Sequence, residues 1–164
     1  MGFATMSGPV RSGTVRYGSS SVMNTGLVVL AQSATVSFSA MTTAPTAQVL
    51  FTLPAGAKIV RFQFEVVTAI TGGSVSNVGV TIGDSGTANK YVTTFNTGTS
   101  SAMVAQATVD TATVVAQTNN LGTSDVTIYG TFTAATGNPT AGSTVVTVHY
   151  IQRAADGTAN PASA

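Results

Sequence analysis

The stretch Ile59–Thr68, IVRFQFEVVT, alternates with a period of two. Val60, Phe62, Phe64 and Val66 fall on one side, and Arg61, Gln63 and Glu65 fall on the other. A helix would scatter these residues around its axis, whereas a half-buried strand sorts them into a core face and a solvent face. The pattern recurs along the chain. Ser33–Ala40 turns Val36 and Phe38 inward, with Thr35 and the serines outward. Ala47–Leu53 groups Val49, Phe51 and Leu53. Val75–Ile82 groups Val78, Val80 and Ile82. Asp125–Thr133 offers Val126, Ile128 and Phe132, and Thr144–Gln152 offers Val146, Val148 and Tyr150. Leu27–Ala31, Lys90–Phe95, Ser101–Val109 and Thr111–Gln117 are weaker strands of the same kind. No segment carries an amphipathic helical stripe.

Turn-forming residues punctuate these runs: Pro54-Ala55-Gly56, Thr71-Gly72-Gly73, Gly83-Asp84-Ser85-Gly86, Asn119–Gly122 and Gly137-Asn138-Pro139. Eight to ten short strands with turns about every ten residues predict an all-β fold, an antiparallel β-sandwich of jelly-roll type or a small barrel. We assign the sandwich to residues 25–153. Residues 1–24, rich in Gly, Ser and Thr and holding Arg11, Arg16 and Tyr17, read as an extended N-terminal arm. Residues 154–164 (AADGTANPASA from Ala154) read as a flexible tail.

Charge narrows the function. Only 11 of 164 residues are formally charged, six basic and five acidic, while Ser and Thr together number 45. Surfaces of freely soluble domains carry roughly 25–35% charged residues. This surface is instead one of hydroxyls, amides and small apolar groups, inexpensive to desolvate, which suits a subunit of a stable assembly. A net charge of +1 provides no field for nucleic acid. No apolar run approaches the ~18 residues of a membrane span. The opening MGFATMSGPVRSG lacks the apolar core of a secretory leader, and Met6 breaks the myristoylation pattern.

Catalytic and metal chemistry find little footing. Gly83-Asp84-Ser85-Gly86 has the four letters found around the nucleophile of chymotrypsin-like proteases. However, the sole histidine, His149, follows Ser85 instead of preceding it, and Thr87-Ala88 stand where that family has Gly-Pro. Here the string is ordinary turn vocabulary. With one histidine and no cysteine, a structural zinc site within one chain is not expected. The acids Glu65, Asp84, Asp110, Asp125 and Asp156 are scattered, with no pair on one strand face and no calcium, phosphate or dinucleotide loop. We therefore expect no catalytic residues, no cofactor and no metal. A hydrolase using Ser85 is one rival reading. A carbohydrate- or receptor-binding sandwich using Tyr91 and Tyr129 is the other, and the absence of tryptophan weighs against it.

Leu53–Gly73 (LPAGAKIVRFQFEVVTAITGG), Val80–Val92 (VTIGDSGTANKYV) and the opening Ser7–Val36 together resemble small structural proteins of tailed bacteriophages. The resemblance implies a non-enzymatic virion component, a capsid decoration or cement protein on the head exterior. Its implied partners are the major capsid protein and copies of itself, as a homo-oligomer with a trimer favoured. A head fibre, neck or tail protein has the same letters. The resemblance also implies docking through the N-terminal arm, for which Arg11, Arg16 and Tyr17 are the candidate residues.

Overall fold

The computed structural model describes residues 29–107, 117–119 and 121–152. The proposed boundaries at residues 24 and 154 lie outside these, as does Thr111–Gln117 apart from Gln117. Among the described residues nine strands form: β1 (Val29–Ser37), β2 (Met41–Thr42), β3 (Gln48–Leu53), β4 (Lys58–Thr71), β5 (Asn77–Gly83), β6 (Val92–Asn96), β7 (Met103–Ala107), β8 (Val126–Ala135) and β9 (Ala141–Ile151). Residues 29–31 of the expected run Leu27–Ala31 and residues 33–37 of the expected run Ser33–Ala40 lie in the single strand β1, whereas residues 27–28 lie outside the described residues.

The strands make two sheets. One has the order β1-β9-β4-β7. The other has β8 paired to β5 and β5 to β6, with β3 and the two-residue β2 along the far side of β8. All pairings are antiparallel except β2 with β8. From β3 onward each connection crosses between sheets, apart from the β5–β6 hairpin. Nested orders β1-β9-β4-β7 and β3-β8-β5-β6 joined this way are the jelly-roll topology.

The inner faces supply the core. Ile59, Phe62, Phe64 and Val66 of β4 lie beside Val146 and Val148 of β9, and face Phe51, Leu53, Val78, Val80, Ile82, Ile128 and Phe132 of the other sheet. Phe64 stacks on Phe95 of β6 at 5.1 Å between ring centroids, joining the two sheets. At the margin where β1 and β3 approach, the Gln32 amide donates to the Thr52 carbonyl and to the Tyr150 hydroxyl.

Alternation fails in three places, each with a local cause. Val60, expected inside, is 42% exposed, and Ile59 is buried in its stead. A β-bulge between Ile59 and Arg61 makes Val60 the extra residue opposite β9. A second bulge lies between Val66 and Thr68, beside Val67, which already falls on the outward parity of Gln63 and Glu65. On β3, a bulge between Val49 and Phe51 leaves Val49 outward and 64% exposed. There Leu50 packs toward the core over Gly130, where a Cβ would lie 2.6 Å from Leu50 Cδ1. Phe38, also expected inside, lies in a 3-10 turn (Phe38–Ala40) beyond β1 and is exposed.

The turns behave as their residues dictate. The Ala57 amide donates to the Pro54 carbonyl at 3.1 Å, with Gly56 at φ +70°, a backbone angle that side chains resist. The β4–β5 and β8–β9 loops meet through glycines. A Cβ on Gly137 would lie 1.6 Å from the Gly73 carbonyl oxygen, so neither loop seats without them.

The bulge assignment makes a sharp contrast between neighbours. Phe62→Ala is expected to cost about 3–5 kcal/mol through the cavity it leaves. Val60→Ala, two residues away, is expected to cost under ~0.5 kcal/mol, as at other exposed sites. Urea denaturation of the two variants measures both.

Candidate assembly surface

The two outer faces of the sandwich differ chemically. On the β3-β8-β5-β6 sheet, alternation sends out a series of rungs: Thr52 beside Thr127, Val49 beside Tyr129, Thr131 beside Thr81, and Thr133 beside Gly79 and Asn96. No charged side chain stands at these positions. Threonine fits here because its branched Cβ suits the pleat while its hydroxyl stays hydrated. The result is a nearly neutral face of hydroxyls and amides.

The other sheet gathers the charge. Lys58, Arg61 and Glu65 project from β4, with Gln63 between them and His149 opposite Arg61 on β9. Arg61 donates to the Gln106 amide oxygen at 3.5 Å, and the Ser33 and Thr147 hydroxyls pair at 2.8 Å. His149 Nε2 is buried without a hydrogen-bond partner. Burial first, and the neighbouring Arg61 charge second, lower the His149 pKa from its ordinary 6.5.

The Gly83–Gly86 string is a structural turn. Asp84 Oδ1 accepts from the Gly86 and Thr87 amides at 3.0 and 2.9 Å, an arrangement typical of aspartate in turns. Its Oδ2 takes a charge-assisted bond from Lys90 Nζ at 2.6 Å. The Lys90 bond, with the two amides, outweighs burial and lowers the Asp84 pKa below 3.8. Lys90 also lies 5.4 Å above the ring of Tyr91. Ser85 is exposed in this loop between β5 and β6, whereas His149 faces outward from the opposite sheet, so no Ser–His pair forms. Tyr91 is 1% exposed and holds the loop to the core, which removes it as a stacking platform. Tyr129 remains at the surface, half-buried.

Among the described residues no group of three His, Asp or Glu side chains stands close enough to hold a metal. Arg11, Arg16 and Tyr17, the docking residues proposed from sequence, lie outside the described residues. Gln32, which clasps β1 to β3, was not singled out by the sequence. Its signal is a lone amide on the inward register of an otherwise apolar strand face.

No family model matches the chain, and no curated protein matches it. Among solved structures it is similar to three described as phage capsids. A chain of the cyanophage Pam1 capsid asymmetric unit is 19% identical, with 92% of this chain and 99% of that chain covered and a TM-score of 0.47. One from the acid-stable capsid of Helicobacter pylori bacteriophage KHP30 is 21% identical over 77% of this chain and 90% of that chain, with a TM-score of 0.46. One from the capsid of Ralstonia phage GP4 is 19% identical over 77% and 86%, with a TM-score of 0.48. These likenesses are partial, and the jelly-roll assignment stands on the strand pairing itself.

Two of the perturbed groups, His149 and Asp84, predict separate pH windows. A histidine whose folded pKa is lowered binds its proton better when unfolded. Stability is therefore full above about pH 6.5 and declines as the pH falls toward the folded value. Asp84 adds a second loss below 3.8, as its carboxylate protonates. His149→Gln is expected to flatten the upper window and Asp84→Asn the lower, as read by denaturation midpoints across pH.

Proposed function

We propose that this protein is a non-enzymatic structural component of a tailed-phage virion, a decoration or cement protein mounted on the outside of the head against the major capsid protein. The observation that carries this reading is the charge-free outer face of the β3-β8-β5-β6 sheet. The resemblance of Ser7–Val36, Leu53–Gly73 and Val80–Val92 to small phage structural proteins supplies the setting. A face of threonines and amides is covered at low desolvation cost and forms hydrogen bonds once covered, as contact surfaces require. Many copies with such faces approach a shell without like-charge repulsion.

In this reading the N-terminal arm adds reach. Arg11 and Arg16 pair with carboxylates on the shell, and Tyr17 packs beside them, so ordering of the arm accompanies docking. The sandwich gives a stiff body, and the arm ties it to a neighbour.

Two changes test the arrangement on isolated phage heads. Deletion of residues 1–20 is expected to lower occupancy at least about tenfold, the consequence of losing roughly 1.4 kcal/mol or more of docking energy. Undiminished occupancy contradicts the role of the arm. Thr81→Glu with Thr131→Glu places two like charges side by side on the neutral face. It is expected to reduce occupancy and, because like charges on paired strands repel, to lower stability by only roughly 0.2–1 kcal/mol, so that the urea midpoint still reports a folded chain.

A further inference from the structure

We infer that two copies of this chain associate edge to edge through β1, making one continuous eight-stranded sheet across a two-fold axis at Ser33. The inference is independent of the capsid reading and begins with how sheet edges are protected. Natural sheets blunt their edges with short strands, bulges, proline or charge. Four strands here follow that rule. β6 and β7 are five residues long, β2 is two, and β3 carries a bulge. β1 does not. It is nine residues long, VLAQSATVS, without a charge or a proline, and its register with β9 runs unbroken from Val29 to Ser37. Among the described residues only β9 pairs with it, and no other described strand takes up the amides and carbonyls of its other edge.

The strand is also complementary to itself. In antiparallel pairing, the residues that point their amide and carbonyl groups away from β9 alternate. Facing partners must therefore be an even number of residues apart. An axis at Ser33 meets that condition and pairs all nine residues. Leu30 then faces Val36 of the second copy, and Gln32 faces Ala34, on the core side. Val29 faces Ser37, Ala31 faces Thr35, and Ser33 faces Ser33 on the outer side. No like charges meet. Leu30, 40% exposed, gains apolar cover from Val36 at both ends of the seam, and Val29, 50% exposed, is covered by Ser37. The two-fold interface is isologous and closes on itself, which makes a dimer and not a filament. It differs from the three-fold assembly that the phage resemblance implies.

The competing occupant is the chain's own segment before Val29. The run Gly18–Ser21, Gly-Ser-Ser-Ser, has the composition of a linker and is a poor strand former, which favours the second copy.

Sedimentation of the full chain at micromolar concentration tests the inference. The expected mass is twice the 16.4 kDa of one chain. Ser33→Lys places two ammonium groups face to face at the axis and is expected to weaken the dimer roughly a hundredfold or more. Ser33→Glu does the same. Mixing the two variants pairs lysine with glutamate and is expected to restore the dimer, which separates a lost contact from a lost fold. A monomeric or trimeric wild-type chain overturns the inference, and so does an oligomer indifferent to both substitutions. Failure of the dimer leaves capsid occupancy unaffected, and failure of capsid binding leaves the dimer intact.

Discussion

The structure depends on one apolar layer held between two sheets. Phe62 and Phe64 on β4, with Val146 and Val148 beside them, meet Val80, Ile128 and Phe132 from the opposite side. Each of these residues is available for that layer only because strand geometry sends alternate side chains to one face. The remaining positions are consequently outward, and the sequence fills them with threonine, serine and amides, with few charges. Core and surface chemistry are therefore two halves of the same alternation.

That alternation has been interrupted where the sheets must bend. Bulges at Val60 and Val67 interrupt one long strand, and the first turns Val60 into solvent. They also let fourteen residues of β4 follow both β9 and the shorter β7. Bulges raise local twist, which a sandwich with crossed connections requires. Gly130 serves the bulge on β3 by leaving room for Leu50. Such irregularities are built features, and each leaves a mark on the surface.

This explains what could be read from the residues and what could not. The strands Val75–Ile82, Asp125–Thr133 and Thr144–Gln152 alternate without interruption at their centres, and their inward residues are those the pattern names. Jelly-roll topology was anticipated, and the strand order bears it out. Val49 and Val60 were misplaced because one inserted residue inverts the parity of everything before it, and no local letter announces a bulge. Phe38 was misplaced because the strand ends one residue earlier, in a turn. At the surface, the scarcity of charge was plain from composition. Its segregation, with Lys58, Arg61 and Glu65 on one sheet and none on the outward rungs of the other, required the pairing to be known. Gly83-Asp84-Ser85-Gly86 shares its letters with a catalytic string, but the order of Ser85 and His149 already marked it as turn vocabulary, and it is a turn clamped by Lys90.

The contact role proposed for the charge-free face has its most direct test in its setting. Cryo-electron microscopy of phage heads carrying this chain would show which side of the sandwich touches the shell. Density for the jelly roll is expected on the head exterior, with Thr81, Thr131 and Thr133 turned toward neighbouring protein. Density with those threonines turned to solvent, or heads that never hold the chain, would contradict the contact role.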